Sequence, residues 1–395
     1  MTVERTPPGA VVELGDLGMA EGAHLLIARA LAAAPHVLVR GNAPTLAIDL
    51  PAWCRAHGHA IEPAGGGFAI ARSPHDRWRD AERAGDASPA GVVEVAPARW
   101  GLAARGALVE AGAPTLDLAL ADRRAIWADE AARLYAQAAA AQWDPQTAIA
   151  WDAAGELPAA VEAAVVQVMT YLIENETAAL LVPVRFLGRL HPHFREVMQL
   201  LAIQAADEAR HIEVFTRRAR RRGDALGVST AGGQASLASL FDEPEFAIAS
   251  FLLSVLGEGS FLLLLQFLRD HAPDLVTRDV ARLAAQDEAR HVAFGLAHLA
   301  RHTREEPGLR DRLAASIERR HAALAHTSGL NAEVFDALIL LAAGSWDPAA
   351  LRAGHAAVTT LVRAMHEARA QHLVRLGFAP ARADALSALH TRNFM

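Results

Sequence analysis

The pentapeptide Asp-Glu-Ala-Arg-His stands at residues 207–211 and is repeated without change at residues 287–291. Each copy contains a Glu-x-x-His pair, Glu208 with His211 and Glu288 with His291. On an α-helix, side chains three residues apart lie on one face, with about 5–6 Å between their Cβ atoms. One carboxylate and one imidazole of each copy can therefore bind a common metal ion, and the repeat predicts two such helices facing each other.

A third helix is expected to add the carboxylate of Glu258, which lies 30 residues before Glu288. Its neighbours at helical spacing are all apolar: Phe251, Val255, Phe261, Leu262 and Leu265. An ionised carboxylate on such a face is strongly unfavourable unless it is paired or bound to a metal. The pattern therefore predicts that Glu258 is a metal ligand.

A further helix, at the start of the series, offers two candidate carboxylates, Glu174 and Glu176. Residues two apart on a helix point about 200° apart, so the helix can direct only one of them inward. Glu176 has apolar neighbours at helical spacing, whereas Glu174 has polar ones: for Glu176 these are Met169, Leu172, Ile173, Leu180 and Pro183, and for Glu174 they are Gln167, Thr170 and Thr177. Glu176 is the predicted ligand, and Glu174 is the alternative.

The predicted site thus has four carboxylates and two imidazoles around two divalent ions. Its ligands are Glu176, Glu208, His211, Glu258, Glu288 and His291. This mixed oxygen and nitrogen set suits two iron ions, with manganese as an alternative in one or both positions. Asp207 and Asp287 are expected to accept a hydrogen bond from the histidine of the opposite motif. Arg210 and Arg290 are expected to anchor these aspartates.

The residues around the repeat predict a mainly α fold. Four long helical segments are expected, at 158–187, 194–222, 244–270 and 277–302. The connections after the first and third are short, and the connection between the second and third, residues 223–244, is long. One long crossover among four helices is the ferritin-like connectivity. Four more helices are expected in the C-terminal extension, at about 309–326, 331–343, 348–376 and 380–390.

The first 75 residues read differently, as a small α+β domain of order β-α-β-α-β-β. Strands are expected at 11–14, 36–40, 61–62 and 67–72, and helices at 21–33 and 50–57. The run from Asp49 to His59, DLPAWCRAHGH, resembles the second-helix signature of the small TusA-like sulfur-carrier proteins. That family acts through a Cys-Pro-x-Pro segment, and the matching stretch here, residues 19–22, is Met-Ala-Glu-Gly. The domain is therefore expected to keep the fold without sulfur transfer and to serve in docking or dimerisation.

The domain organisation follows from these patterns. Residues 1–75 are the TusA-like domain, and residues 76–120, rich in Pro, Gly and Ala, read as a linker. Residues 121–305 form the helical bundle with a lead-in helix between 122 and 142, and residues 306–395 form the C-terminal helical extension.

Composition restricts the partners and the location of the protein. A net charge of −7 argues against nucleic acid as the main partner. The single cysteine, Cys54, excludes a disulfide framework and a cysteine-based metal cluster. The most apolar stretch, residues 246–268, is interrupted by Glu258 and Gln266 and reads as a buried helix, so no membrane contact is expected. A cytoplasmic homodimer is the expected state.

The six ligands and the helical order resemble the ferritin-like di-iron carboxylate proteins, over residues 158–302. The resemblance implies activation of O2 or peroxide at a reduced di-iron centre, with oxidation of a bound molecule. Some members place a radical-forming Tyr one turn after the first motif His, where this chain has Phe215, and others a Thr one turn after the third-helix Glu, where it has Leu262. Neither Tyr135 nor Tyr171 is expected to form a stable radical at this site.

Two functions are therefore expected from the sequence. The first is an O2-dependent di-iron oxidase or oxygenase that acts on a small organic metabolite in an apolar pocket near Glu258, with electrons from an external donor or from the substrate. The second is a ferroxidase, or a rubrerythrin-like or catalase-like protein, that handles metal or peroxide without an organic substrate. An apolar cavity beside Glu176 and Glu258 would favour the first, and an entry channel lined with carboxylates would favour the second.

Overall fold

The computed structural model describes residues 10–73, 78–153, 155–327 and 331–389, so that residues 76 and 77 of the predicted linker lie outside the described ranges. The chain forms two compact units: residues 1–83 with 108–113, called here the N-terminal unit, and residues 84–107 with 114–395, called the helical unit. The first contains a small four-stranded mixed sheet and the second is built from helices. The predicted mainly α fold, preceded by a small α+β part, is confirmed.

The N-terminal unit has the predicted β-α-β-α-β-β order. Its elements are β1 (Ala10–Glu13), α1 (Ala23–Ala33), β2 (His36–Arg40), α2 (Leu46–Ala56), β3 (Ala60–Ala64) and β4 (Gly67–Ala71). A 3-10 turn (Met19–Glu21) comes just before α1. Two further short strands, β5 (Glu82–Arg83) and β6 (Leu108–Val109), pair with each other. The sheet order is β1-β2-β4-β3, with β1 parallel to β2 and the other pairs antiparallel. Gly65 and Gly66 join β3 to β4 with φ of 53° and 77°, the positive values that a tight hairpin turn requires.

Helix α2 begins four residues earlier than the sequence predicts. Leu46, Leu50 and Cys54 follow one another at intervals of four and are all buried in the core of this unit. The apolar stripe that packs on the sheet thus starts one turn before Leu50. Burial also raises the pKa of the Cys54 thiol to about 11, which fits a packed side chain and disfavours a nucleophilic thiolate.

Residues 84–107, which the sequence suggests are part of a linker, make buried contacts inside the helical unit. The guanidinium of Arg105 forms a buried ion pair with Glu196 and donates from Nε to the carbonyl of His193 at 3.0 Å. The ring of His193 in turn accepts from the backbone N–H of Val93 at 3.0 Å. The helical elements of this segment are the short 3-10 turns Pro89–Gly91 and Ala98–Trp100. Because neither is long enough to show a hydrophobic period, the sequence does not predict the buried contacts of residues 84–107.

The helical unit contains the four long predicted segments and the C-terminal helices. Its helices are α3 (Ala131–Ala140), α4 (Ala159–Leu187), α5 (Arg195–Ala219), α6 (Ala231–Phe241), α7 (Phe246–Ser250), a π-helix (Phe251–Gly257), α8 (Glu258–Asp270), α9 (Leu275–Glu305), α10 (Gly308–Leu324), α11 (Ala332–Ala343), α12 (Pro348–Arg375) and α13 (Pro380–Ala388), with 3-10 turns at Arg123–Ala125, Trp151–Ala153 and Pro192–Phe194. Helices α4, α5, α7 to α8, and α9 correspond to the four segments that carry the predicted ligands.

Three details differ from the sequence-based expectation. The long connection at 223–244 contains helix α6, capped by Thr230, whose hydroxyl accepts from the N–H of Gly233 at 3.0 Å. The lead-in helix expected between 122 and 142 is α-helical only as α3. The third long helix is interrupted by a π-helix just before Glu258, a feature that apolar periodicity does not reveal because every residue of the π-helix is buried.

Residues 246–270 are the one continuous helical stretch of the described chain that is long and apolar enough to cross a membrane, and the most apolar 18-residue window within them has a mean hydropathy of 2.0. However, 89% of its most apolar window is buried inside the protein, as expected for the core helix of a bundle. Helices α11 and α12 pass the same test only when joined across a bend of 119°. The prediction of a buried helix at 246–268 is confirmed.

The fully buried Arg218 joins three helices of the helical unit. Its guanidinium donates to Glu162 of α4 at 2.7 Å, and to Asp274 and Thr277 at the start of α9 at 2.7 and 2.8 Å. We expect Arg218→Ala to lower the free energy of unfolding by about 3 kcal/mol, because it leaves two partly buried carboxylates without the buried guanidinium that pairs with them. Urea unfolding followed by circular dichroism measures this change.

The matched control is Arg220→Ala, since the Arg220 side chain is 54% exposed and pairs with the exposed Asp224. This substitution is expected to change the free energy of unfolding by less than about 1 kcal/mol. Equal effects of the two substitutions would contradict the assigned role of Arg218.

Candidate metal centre

The six predicted ligands lie together in the core of the helical unit. Glu176 is in the middle of α4, the first Glu-x-x-His pair is on α5, Glu258 is the first residue of α8, and the second pair is on α9. None of the six is more than 4% exposed. The alternative ligand Glu174 is only partly buried and is not part of the cluster.

The ligand atoms form two groups in which all members lie within 4.8 Å of one another. One group is Glu176, Glu208, His211 and Glu288, and the other is Glu208, Glu258, Glu288 and His291. Glu208 and Glu288 belong to both groups. Two neighbouring four-residue sets of this kind would each hold one cation, with Glu208 and Glu288 available to both.

Both histidines direct Nδ1 to the shared glutamates. His211 Nδ1 lies 3.1 Å from Glu208 and 3.4 Å from Glu288, and His291 Nδ1 lies 3.0 Å and 3.4 Å from the same two residues. His211 Nδ1 is also 3.6 Å from Glu176. The two Glu-x-x-His pairs are therefore arranged almost symmetrically about the shared carboxylates.

The other ring nitrogen of each histidine faces the aspartate of the opposite motif. His211 Nε2 is 3.2 Å from Asp287, and His291 Nε2 is 3.3 Å from Asp207. An Nε2–H that donates to a carboxylate leaves Nδ1 with a free lone pair. In the neutral imidazole that a metal ion requires, this tautomer directs the Nδ1 lone pair into the carboxylate cluster.

Two arginines of the repeat compensate the charge of these aspartates. Arg210 donates to Asp207 at 2.5 Å and to Asp287 at 2.9 Å, so that it links the two motifs. Arg290 donates to Asp287 and lies 3.7 Å from Asp207. Each aspartate thus faces two guanidinium groups, which explains why both copies of the pentapeptide contain Arg.

Two residues that the sequence does not identify as part of the site complete this outer shell. Gln142 donates to Asp207 at 2.8 Å and accepts from Arg210 at 2.6 Å. Trp143 donates from its indole N–H to Asp287 at 2.8 Å, and its ring stacks beside the His211 ring with 6.5 Å between centroids. Both residues lie just beyond the C-cap of α3, Ala141. In the sequence, the tryptophan in this extended segment was the one feature that pointed to it.

The Glu258 side of the cluster has polar neighbours of its own. Gln204, which sequence analysis did not single out, donates to Glu258 Oε1 at 3.1 Å, and the buried Ser254 lies one turn before Glu258 in the π-helix. Both line a small apolar cavity of about 20 Å³, which is room for about one water molecule. The remaining walls are Val182, Pro183, Phe186, Leu201, Phe246, Ser250, Leu253 and Phe294.

A second, open pocket of about 690 Å³ shares one lining residue, Phe246, with the small cavity. Its wall carries the carboxylates of Asp122, Glu245, Glu305 and Glu306 and the cations of Arg124 and Arg312, with His302. The buried ring of Phe246 packs edge-on against Phe186 and His298, at 5.3 and 5.1 Å between centroids. Phe246 is thus a wall of both the small cavity, which Gln204 also lines, and this larger pocket.

The carboxylates of the cluster are held at high electrostatic cost. Burial and the neighbouring Glu288 raise the pKa of both Glu176 and Glu258 well above the ordinary value. For Glu208, burial acts in the same direction, but His291 and His211 outweigh it and lower its pKa. Oε1 of Glu176, Oε2 of Glu258 and both carboxylate oxygens of Glu288 are buried without a hydrogen-bond partner.

The histidines respond in the opposite way. Burial alone would lower the pKa of His211 and His291, but the surrounding carboxylates outweigh burial and raise both values well above the ordinary one. The protein thus offers four carboxylates to two cations, and two divalent ions would balance that charge. The donor set and the unpartnered buried oxygens fit a pair of divalent metal ions.

The remaining residues noted in the sequence lie outside the two ligand groups. The ring of Phe215 contacts His211 at 6.2 Å between centroids, Leu262 is partly buried, and Tyr171 packs against Phe261. Of the histidines on α12, the exposed His355 has no contact with the cluster, and His366 pairs with Asp384 at 2.9 Å. His372 contacts the carbonyl of Val255 in the π-helix.

No family model and no curated protein matches this chain. The case for a function consequently depends on the geometry of the site and on the sequence resemblance.

The sharing of Glu208 and Glu288 between the two groups predicts how single substitutions affect metal binding. The parent chain is expected to bind two Mn(II) or Fe(II) ions under anaerobic conditions. Glu176→Ala and Glu258→Ala are each expected to weaken mainly one of them, whereas Glu208→Ala and Glu288→Ala weaken both. Equilibrium dialysis with metal analysis gives the number of ions bound per chain.

The control for these variants is Glu174→Ala, which removes a carboxylate two residues from Glu176 and outside the cluster. It is expected to bind two ions as the parent does. A Glu258→Ala variant that still bound both ions tightly would refute the assignment of Glu258 as a ligand.

The raised pKa values of Glu176, Glu258, His211 and His291 predict that metal binding releases protons. These groups keep their protons to higher pH in the metal-free protein and lose them when cations bind. Metal affinity should therefore rise with pH, with up to one proton released from each of the four groups. Proton release during Mn(II) titration in weakly buffered solution measures this number, and a pH-independent affinity would contradict it.

Proposed function

We propose that this protein is an O2-dependent non-haem di-iron oxidoreductase, an oxidase or oxygenase, built on a ferritin-like bundle and acting on a small organic metabolite. The observation that carries the proposal is the pair of buried ligand sets that share Glu208 and Glu288. Four carboxylates and two imidazoles, with no thiolate, suit iron, and manganese in one or both positions is the alternative. When bound, such a metal pair supplies the redox chemistry with O2 that side chains lack.

The protein's own residues would hold and tune this pair. Glu176 and His211 would serve one ion, Glu258 and His291 the other, and Glu208 and Glu288 both. Asp207 and Asp287 fix the histidine tautomer by accepting from Nε2–H. Arg210 and Arg290 balance the aspartates, so that the charge of the ligand carboxylates remains available to the metal ions.

The surroundings of Glu258 support an organic substrate. Gln204 orients the Glu258 carboxylate and, with Ser254, gives the otherwise apolar small cavity a polar wall next to the cluster. Apolar walls exclude water and favour a neutral molecule with few polar groups. Because the cavity holds about 20 Å³, a metabolite larger than water requires Phe246 to move, which would join the cavity to the 690 Å³ pocket.

A second candidate is a ferroxidase, or a rubrerythrin-like or catalase-like protein without an organic substrate. The observations that favour it are the small size of the cavity and the four carboxylates in the wall of the larger pocket, where cations could gather. Against it, the wall that this pocket shares with the small cavity is the apolar ring of Phe246.

The N-terminal unit would serve in docking or in formation of a homodimer. Its β-α-β-α-β-β order agrees with the TusA-like resemblance, while the buried Cys54 and the absent Cys-Pro-x-Pro segment argue against sulfur transfer. An external electron donor docking on the protein, and a cytoplasmic location, are part of this proposal.

Two measurements separate the candidates. Chain loaded with two Fe(II) ions is mixed with O2, and O2 uptake is followed with and without a panel of small apolar test compounds. The oxygenase proposal expects uptake to depend on the test compound and an oxidised organic product to appear by mass spectrometry. Phe246→Ala should increase product formation from the larger compounds, because it joins the two cavities.

Phe241→Ala serves as the control, since Phe241 is an exposed aromatic residue of the same unit that lines neither cavity. Continued oxidation of Fe(II) far beyond two ions per chain, with ferric build-up and no organic product, would instead support the ferroxidase. Failure of the parent chain to bind any divalent metal would reject both.

A further inference from the structure

The direction of the Glu258 side chain depends on the π-helix that precedes it, residues Phe251–Gly257, called here the π segment. The backbone N–H of Glu258 bonds to the carbonyl of Leu253, five residues earlier, rather than four. An α-helix advances by about 100° per residue. If the extra residue were expelled, Glu258 would therefore turn by about 100° relative to the helix before it and leave the cluster.

Side chains contact the backbone where the π segment meets α8. After the bond from Glu258 N–H to Leu253, a return to four-residue spacing passes over the carbonyl of Ser254, so the hydrogen-bond ladder is irregular at this point. At this junction His372 Nδ1 lies 3.3 Å from the carbonyl of Val255, and the Ser260 hydroxyl donates to the carbonyl of Leu256 at 2.8 Å. Arg369 donates to the same Ser260 hydroxyl at 3.1 Å.

Both side chains that come from outside the α7–α8 stretch belong to one late helix, α12. His372 and Arg369 are three residues apart and thus lie on one face of α12, which packs on α8. Arg369 is only 1% exposed. Its Nη1 donates to the Ser260 hydroxyl, two residues after Glu258, while its Nε is buried without a hydrogen-bond partner.

Two glycines provide the space that the π segment and His372 need. A Cβ atom at Gly295, on α9 one turn after His291, would stand 2.6 Å from Cβ of Ser254. A Cβ atom at Gly259 would stand 3.0 Å from the His372 ring. The chain thus lacks side chains at the two points where the π segment approaches α9 and where α12 approaches the residue after Glu258.

We propose that His372 and Arg369 of the C-terminal extension are positioning residues that hold the π segment and thereby aim Glu258 at the second ligand set. This inference depends on the proposed metal centre in one respect, namely that the carboxylate of Glu258 binds a metal ion. It assigns a role to α12, for which the sequence offered no motif.

The test compares the parent chain with His372→Phe, which keeps a ring of similar size but removes the hydrogen-bond donor. Anaerobic Mn(II) titration of the parent should give two bound ions. In His372→Phe, the affinity of the set with Glu258 and His291 should fall by about 10–100-fold, the range for lost second-shell contacts. The affinity of the set with Glu176 and His211 should stay within about twofold by the same reasoning.

A second readout needs no metal. Hydrogen exchange followed by mass spectrometry should show faster exchange of the amides at residues 251–258 in metal-free His372→Phe than in the metal-free parent. His372→Asn, whose amide nitrogen can take the place of Nδ1, should restore slow exchange and most of the affinity. His355→Phe, an exposed histidine of the same helix, is the matched control and should change neither readout.

The outcomes distinguish the two proposals. Unchanged exchange at 251–258 together with unchanged affinity of both ions would overturn the positioning role, and so would equal weakening of both ions. A parent chain that binds no Mn(II) or Fe(II) would reject the metal centre, while faster exchange in His372→Phe would still show that His372 holds the π segment. If His372→Phe does not fold, Gly259→Ala tests the same contact, because the added methyl group displaces the His372 ring.

Discussion

The constraint on which this structure depends is the burial of four glutamates at one point among helices. Each of them is nearly inaccessible to water, and mutual repulsion with burial raises the pKa of Glu176 and Glu258. Such a cluster persists only if protons or cations offset its charge. The long helices α4, α5, α8 and α9 supply the rigid frame that keeps these carboxylates together, and the apolar core around them supplies the folding energy that compensates their burial.

The identity of the two pentapeptides has a structural reason in this frame. The histidine of each copy bonds to the aspartate of the other, and Arg210 reaches both aspartates. Because the contacts cross between copies, a change in one copy removes a partner from the other. The Asp and Arg of the repeat are thus as closely tied to the site as the Glu and His, although they do not enter the two ligand groups.

Helical periodicity was sufficient to predict the six clustered residues and most of the helix boundaries. This is because the direction in which a side chain points from a helix is set by its position within that helix. Glu258 and Glu176 were identified from apolar neighbours along their own helices. Gln142, Trp143 and Gln204 escaped notice because their roles arise from contacts with helices distant in sequence. The π segment was missed for a related reason: its stability depends on partners such as His372, which lies over a hundred residues away.

The two ligand sets are not equivalent, and the difference bears on where chemistry with a further molecule would take place. Glu176 lies within the uninterrupted helix α4, whereas Glu258 follows the π segment and accepts a hydrogen bond from Gln204, which lines a cavity together with Ser254. A π segment is less regularly hydrogen bonded than an α-helix and is often found at functional sites. The Glu258 side therefore combines the irregular backbone of the π segment with polar side chains that line a cavity. If the cluster holds metal ions as proposed, a reacting molecule would approach them from this side, where Phe246 lines both the small cavity and the larger pocket.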